Sequence, residues 1–192
     1  MSGEGKLFII SAPSGAGKTT LEQMLLDSEL DLIKSVSATT RKPRASEANN
    51  RDYIFLSKDE FAKERDEGKF LEWAEVFGNF YATPKTKVIN AIEEGKNIIL
   101  SIDVQGAEQV KKIFPEAILI FIKTPNFNTL KSRLEKRLTD SNEEIDRRLE
   151  VAKDELAKLD MYNYTIVNDD LDNAFYELKN VIKKCLEKEK EW

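Results

Sequence analysis

The chain has 192 residues, 41% of them hydrophobic and 34% charged, and a formal net charge of −5. That length supports one well-buried core with small inserted subdomains, not two full-size domains, and the acidic balance argues against a nucleic-acid partner, which needs a basic face. With no histidine and a single cysteine, Cys185, His-ligated zinc, Ser-His-Asp triads, Cys-His nucleophiles and an internal disulfide are all excluded.

The first element is "LFII" at 7–10, an apolar run without polar alternation, as expected of a parallel strand buried on both faces. It leads into "SAPSGAGKTT" at 11–20, which meets the phosphate-loop pattern G-x-x-x-x-G-K-[ST] everywhere except its first glycine, where Ala12 stands. Leu21, Met24 and Leu25 then recur at helical spacing, predicting a helix over 18–28. Strand, glycine loop and helix are what the chemistry requires. Successive backbone N–H groups and the helix N-terminus converge on phosphates, and Lys18 reaches the β and γ groups. Ala12 costs little provided its φ stays negative.

Residues 35–84 break the rhythm, with aromatics, turns and short strands ("DYIFL", "FLEWAEVF", "GNFYATP") that suggest an inserted antiparallel lobe. Within it, Arg41 and Arg44 of "SVSATTRKPR" form a pair of guanidinium forks suited to a second phosphate; a solvated basic loop is the alternative. Most of the lobe's aromatics read as core. Glu72, beside Trp73 in an apolar setting, needs a partner there.

A helix over 86–94 precedes the strand "IILSI", which ends in Asp103, a position where phosphate-loop enzymes place a Mg²⁺-organising carboxylate. "DVQG" also fits the D-x-x-G of GTPases, but no N-K-x-D follows it. Helix 106–114 and strand "AILIFI" come next, then helices over 126–137 and 143–160 with a break at "LTDSN", suggesting a charged helical flap over 127–157. The strand "YTIV" at 164 and a helix over 171–190 complete the chain. The end, "KKCLEKEKEW", reads as a solvated, fraying helix face. Strands alternating with helices imply an α/β, doubly wound, mostly parallel sheet with the phosphate loop at its carboxyl edge. No apolar run reaches the roughly 20 residues of a membrane span, and "MSGEGKLFII" lacks the layout of a secretory signal. A cytoplasmic protein without a membrane partner is expected.

Taken in order, "SAPSGAGKTT", "VSATTRKPR", "DYIF", "FLEWAEV", "GNFYAT", "SIDVQG", "RLEKRLTDSNEEIDRRL" and "VNDDL" strongly resemble the guanylate kinase family, from about residue 5 to about residue 186. The resemblance implies a P-loop NTPase core over 1–34, 85–126 and 158–192, a small α+β GMP-binding lobe over 35–84, and a helical lid over 127–157. It implies Mg²⁺-dependent transfer of the ATP γ-phosphoryl group to GMP, giving GDP and ADP, with dGMP as a variant acceptor and a monomer or homodimer as the assembly.

The ATP site would comprise Ala12, Pro13, Ser14, Gly15, Ala16, Gly17, Lys18, Thr19 and Thr20, with Asn168, next to Asp169, near the adenine. Arg41, Arg44, Tyr53 and Tyr81 would hold the GMP phosphate; Ser37, Glu72, Thr83 and Asp103 would read guanine. Lys18, Arg41, Arg133, Arg137 and Arg148 would act on the transferring group, and Thr19 and Asp103 would hold Mg²⁺, directly or through water. The missing histidine fits, because the nucleophile is a phosphate oxygen that is already anionic.

Several positions depart from the family pattern. Ser46, Asn50, Ala82 and Leu138 stand where glycine is usual, and Ser101 stands where an acid is usual. The competing readings are a catalytically silent guanylate-kinase-like interaction domain and a kinase for another nucleoside monophosphate. Silent domains typically lose the loop lysine and carry proline at the position of Ser37, whereas both residues are kept here. Glu72 with Asp103 argues against another acceptor.

Overall fold

Residues 4–136 and 141–187 are described in a computed structural model of the chain. The opening apolar run forms β1 (Leu7–Ser11), buried along its whole length. It leads through the glycine loop into α1 (Lys18–Leu26) and then β2 (Leu32–Lys34). β3 (Ala38–Thr39), β4 (Ile54–Phe55), α2 (Lys58–Asp66), β5 (Phe70–Val76) and β6 (Asn79–Pro84) span the 35–84 segment. There follow α3 (Lys85–Glu93), β7 (Asn97–Ser101), α4 (Val104–Ile113), β8 (Ile118–Lys123), α5 (Phe127–Glu135), α6 (Asn142–Leu156), a 3₁₀ turn at Leu159–Met161, β9 (Tyr164–Val167) and α7 (Leu171–Glu187).

The larger sheet runs β2-β7-β1-β8-β9. Its parallel pairs include Leu32↔Asn97 and Ile120↔Tyr164. The expected doubly wound α/β architecture is present, and all four predicted core strands are in this sheet. β2 escapes the sequence reading because only Leu32 of its three residues is buried. The sheet of the 35–84 segment runs β4-β3-β6-β5 and is mixed rather than antiparallel, since β3 pairs in parallel with β4. Its helix α2 lies outside every helix predicted from sequence. Ser57 accepts from the Glu60 N–H at 3.2 Å and Glu60 accepts from the Ser57 N–H at 2.8 Å, a reciprocal capping box.

The chain divides into two compact units. One holds Asp31–Ala117 with the N-terminal segment through Phe8; the other holds Ile9–Leu30 with the chain from Ile118 on. In the first, Phe61 of α2 is 1% exposed and lies between the rings of Phe70 and Phe80, at 4.9 and 5.3 Å. In the second, Leu130 and Leu134 of α5 pack with Ile145, Leu149 and Ala152 of α6, the i, i+4, i+7 stripe of an amphipathic helix. The end of α7 differs from the solvated face expected: Cys185 continues its buried stripe of Ala174, Leu178 and Ile182.

Candidate functional site

The phosphate loop is built by a buried strand that ends abruptly. Ser11, Ala12 and Pro13 are buried, and the Ala16 N–H closes a turn on the Pro13 carbonyl at 3.0 Å. Gly15 and Gly17 both sit at φ 93°, a region that costs an L side chain dearly and glycine little. Among described non-glycine residues only Asn50 and Phe77 have positive φ. Ala12 therefore meets the condition set for it, and Asn50, at 63°, stands where glycine would be easy and asparagine is tolerable. Gly17 caps α1 without a side-chain bond, and the first turn holds no acid. That leaves a helix N-terminus suited to anionic oxygens. Lys18 opens the helix, half-buried, with Thr19 and Thr20 exposed beside it.

Asn168 braces this loop from beneath. It is 4% exposed, its amide donates to the Ala16 carbonyl at 2.8 Å, and its backbone N–H donates to the Lys123 carbonyl at 2.7 Å. A Cβ on Gly17 would collide with that amide. Of the arginines expected in the lid, Arg148 donates from Nη1 to the Ser14 hydroxyl and from Nη2 to Glu144, both at 2.9 Å. Arg133 donates to the Asp169 carbonyl at 3.3 Å. Arg137 and Leu138 lie outside the described residues.

A second array forms in the 35–84 segment. Strand register pairs Glu72 with Thr83, Ala74 with Tyr81, and Tyr81 with Thr39, so these side chains share one face of the sheet. Glu72 is 4% exposed and Thr83 fully buried. The Thr83 hydroxyl donates to Glu72 Oε1 at 2.6 Å, supplying the partner that burial demanded. Asp103 caps α4, accepting from the Gly106 N–H at 2.9 Å on Oδ1 and from the Gln105 amide at 3.1 Å on Oδ2. Ser101 closes β7 two residues earlier, half-buried.

Arg41 is locked in place. Its Nη2 pairs with Glu47 at 2.8 Å and its Nη1 donates to the Lys42 carbonyl at 2.8 Å. The guanidinium lies 5.3 Å from the Tyr53 ring centre, and Tyr53 meets Tyr81 edge-on at 6.2 Å. The hydrogen bond to Glu47 raises the Arg41 pKa, and the same bond holds the Glu47 carboxyl below its ordinary value. The second Glu47 oxygen accepts from the Arg44 N–H at 2.8 Å. The Arg44 guanidinium itself is exposed and has no hydrogen-bond or ion-pair partner among the described residues. Ser37 is half-buried, and its carbonyl accepts from the Ile54 N–H at 2.9 Å.

Sequence reasoning missed Glu47 and the bracing by Asn168. Glu47 was visible as the acid three residues beyond Arg44; the amide bond to Ala16 spans 152 positions and leaves no local trace.

Comparison with known proteins gives the same picture. The "Guanylate kinase" family model matches residues 4–185. A guanylate kinase of Caldanaerobacter subterraneus subsp. tengcongensis is 46% identical over 184 residues, covering 95% of this chain and 89% of the relative. One from Thiobacillus denitrificans is 48% identical over 174 residues, covering 91% and 83%. The crystal structure of guanylate kinase from Anaplasma phagocytophilum aligns with a TM-score of 0.80 at 30% identity, covering 96% of this chain and 87% of that one. Because the family match spans the 35–84 segment that carries Glu72 as well as the widespread phosphate loop, the chain belongs to the guanylate kinase family.

Proposed function

We infer that the protein is an ATP:GMP phosphotransferase, moving the ATP γ-phosphoryl group to GMP to give GDP and ADP. The observation that carries this is Glu72: a buried carboxylate fixed by Thr83, in the same lobe as Arg41 and Arg44. Acceptor oxygens suit the N1–H and N2–H₂ donors of guanine, and paired guanidinium groups suit a phosphate monoester. Adenine offers no such pair of donors to Glu72, a mismatch that can reject an analogue by about 10⁴-fold.

In this reading the 35–84 lobe binds GMP and the 127–157 segment is the lid. Arg41, fixed by Glu47, and Arg44, Tyr53 and Tyr81 orient the acceptor phosphate. Ser37, Thr83 and Asp103 join Glu72 in reading the base. The N–H groups of 12–20 and Lys18 hold the donor phosphates, and Arg133, Arg137 and Arg148 neutralise charge and exclude water. Asn168 serves the donor site by shaping the loop. No general base is required, since the attacking oxygen is already ionised.

The residues fit a Mg²⁺ ion that arrives on the nucleotide. No cluster of three or more metal-ligating side chains exists among the described residues, and Mg²⁺ held by phosphates needs only one or two protein oxygens. Thr19, with its exposed hydroxyl, and Asp103 would supply them. When bound, Mg²⁺ would offset the charge of the donor phosphates. A cytoplasmic location and a monomer or homodimer complete the proposal, to be read by cell fractionation and light scattering.

A coupled ADP-release assay with ATP, Mg²⁺ and each of GMP, dGMP, AMP, UMP and CMP tests it. GMP should turn over at least about 10²-fold faster than AMP, UMP or CMP. Absence of turnover with every acceptor would point to a silent interaction domain, and preference for another nucleotide to a different kinase.

A further inference from the structure

Gly106 is the third residue of α4 and ends the "DVQG" stretch, whose Asp103 the phosphate chemistry accounts for and whose glycine it does not. Its φ lies outside the left-handed region, so backbone freedom is not what this position asks of glycine. Space is. A Cβ placed there would overlap Glu72 Oε2, lie 2.9 Å from Glu72 Cδ and come within 3.3 Å of Asp103 Oδ1. A loose side chain would swing clear of such a methyl. Glu72 has no such freedom, because it is 4% exposed and its other oxygen is held by Thr83 at 2.6 Å.

The same face of α4 grips the main chain next to Glu72. Gln109, three residues on from Gly106, donates its amide to the Trp73 carbonyl at 2.8 Å and accepts from the Trp73 N–H at 3.3 Å. β5 is the edge strand of its sheet, and Gln109 satisfies both outward-facing groups of Trp73. Asp103, in turn, is fixed by the Gly106 N–H. One helix end therefore sets two acids at once: Asp103 as its cap, and Glu72 through an approach that a side chain at 106 would forbid. The positive helix end also favours both negative charges.

We propose that Gly106 is a positioning residue for guanine recognition, with Gln109 fixing β5 alongside it, so that glycine at 106 and the full-length carboxylate at 72 form a matched pair. The proposal rests on Glu72 reading the base.

The test compares wild type with Gly106→Ala, Glu72→Asp, Glu72→Asp/Gly106→Ala, Gln109→Ala and Glu72→Gln, by steady-state kinetics and by calorimetric binding of GMP and ATP separately. Gly106→Ala should raise the GMP KM and Kd by about tenfold or more, the scale of one bidentate base contact. The ATP KM and kcat at saturating GMP should stay within about twofold. Glu72→Asp withdraws the carboxylate by one methylene and opens room for the methyl. Adding Gly106→Ala to it should therefore cost less than about twofold, a non-additivity that marks direct coupling. Gln109→Ala should raise the GMP KM selectively by a few-fold, and it carries the test if Gly106→Ala does not fold.

Equal shifts for GMP and ATP, or a Gly106→Ala cost undiminished in the Glu72→Asp background, would overturn the pairing. A Glu72→Gln enzyme with unchanged GMP KM would instead show that base reading by Glu72 fails, and the pairing with it. A raised GMP KM for Glu72→Gln beside an unchanged one for Gly106→Ala would sink the role of Gly106 alone.

Discussion

Lys18 stands at the first position of α1, on a helix end whose cap is a glycine, so its ammonium adds a charge on a long side chain to a fixed array of backbone donors. Charge that builds on the transferring oxygens is where such a group acts most strongly. Lys18→Ala should lower kcat by at least about 10³-fold and leave thermal unfolding nearly unchanged; near-normal turnover would show that the backbone cradle suffices. Glu47 works one step back. It pins Arg41 and orders the Arg44 main chain through its two oxygens. Glu47→Ala should then raise the GMP KM by about 5- to 20-fold, through loss of a pre-set guanidinium rather than of a ligand. The ATP KM is the control, and a matching rise there would count against this account.

The phosphate loop is an element whose shape is set elsewhere in sequence. Asn168→Ala removes the donor to the Ala16 carbonyl and leaves a void beneath Gly17. A buried hydrogen bond lost this way costs about 1–3 kcal/mol, which lowers Tm by about 2–12 °C in a chain of this size. The ATP KM should rise about tenfold while the GMP KM holds, checked by calorimetry and initial rates; an unaltered ATP KM would show that the loop keeps its shape unaided.

What is legible at this scale follows from where the information lies. The strands β1, β7 and β8 and the glycine loop announce themselves because a buried parallel sheet imposes continuous apolar runs, whereas β9, an edge strand with only Ile166 buried, is marked by its β-branched and aromatic residues. β3 and β4 are two residues each and exist only through pairing, so no local pattern marks them. α4 begins at Val104, two residues before its predicted start, because Asp103 reads in sequence as a strand-end acid and not also as a helix cap. Glu72 stands out by its apolar setting beside Trp73, and Thr83 through the family resemblance. Their hydrogen bond is not legible, since Glu72 meets Thr83 through register, with an irregularity between Phe70 and Glu72 that shifts the pairing.

For the molecule as a whole, the absence of histidine leaves no side chain with an ordinary pKa between about 4.5 and 8.5. The shifted carboxyls of Glu29, Glu47, Asp52, Glu60, Glu67 and Glu143 all move down, each held first by a hydrogen bond to its ionised form. A folded pKa below the unfolded one contributes stability that is fully present above the ordinary values of 4.5 for Glu and 3.8 for Asp, and is lost as pH falls through the folded value. Lys69 and Lys96 move up, so their contribution is present below 10.5 and lost only as pH rises beyond it. Stability should therefore be flat from about pH 5.5 to 7.5.

Activity should not be flat over the same window. The attacking group is the GMP phosphate, whose second ionisation falls near pH 6 if it behaves as other phosphate monoesters do, and Arg41 and Arg44, in the role proposed for them, would favour its dianion. The acid limb of kcat/KM for GMP then belongs to the substrate, with unit slope below about pH 6, while Tm stays constant. Phosphorus NMR of free GMP in the same buffers supplies the reference. A limb more than about half a unit from that value, or a Tm that slides across the window, would assign the titration to the protein. It would then overturn the account in which an already ionised oxygen attacks without a general base.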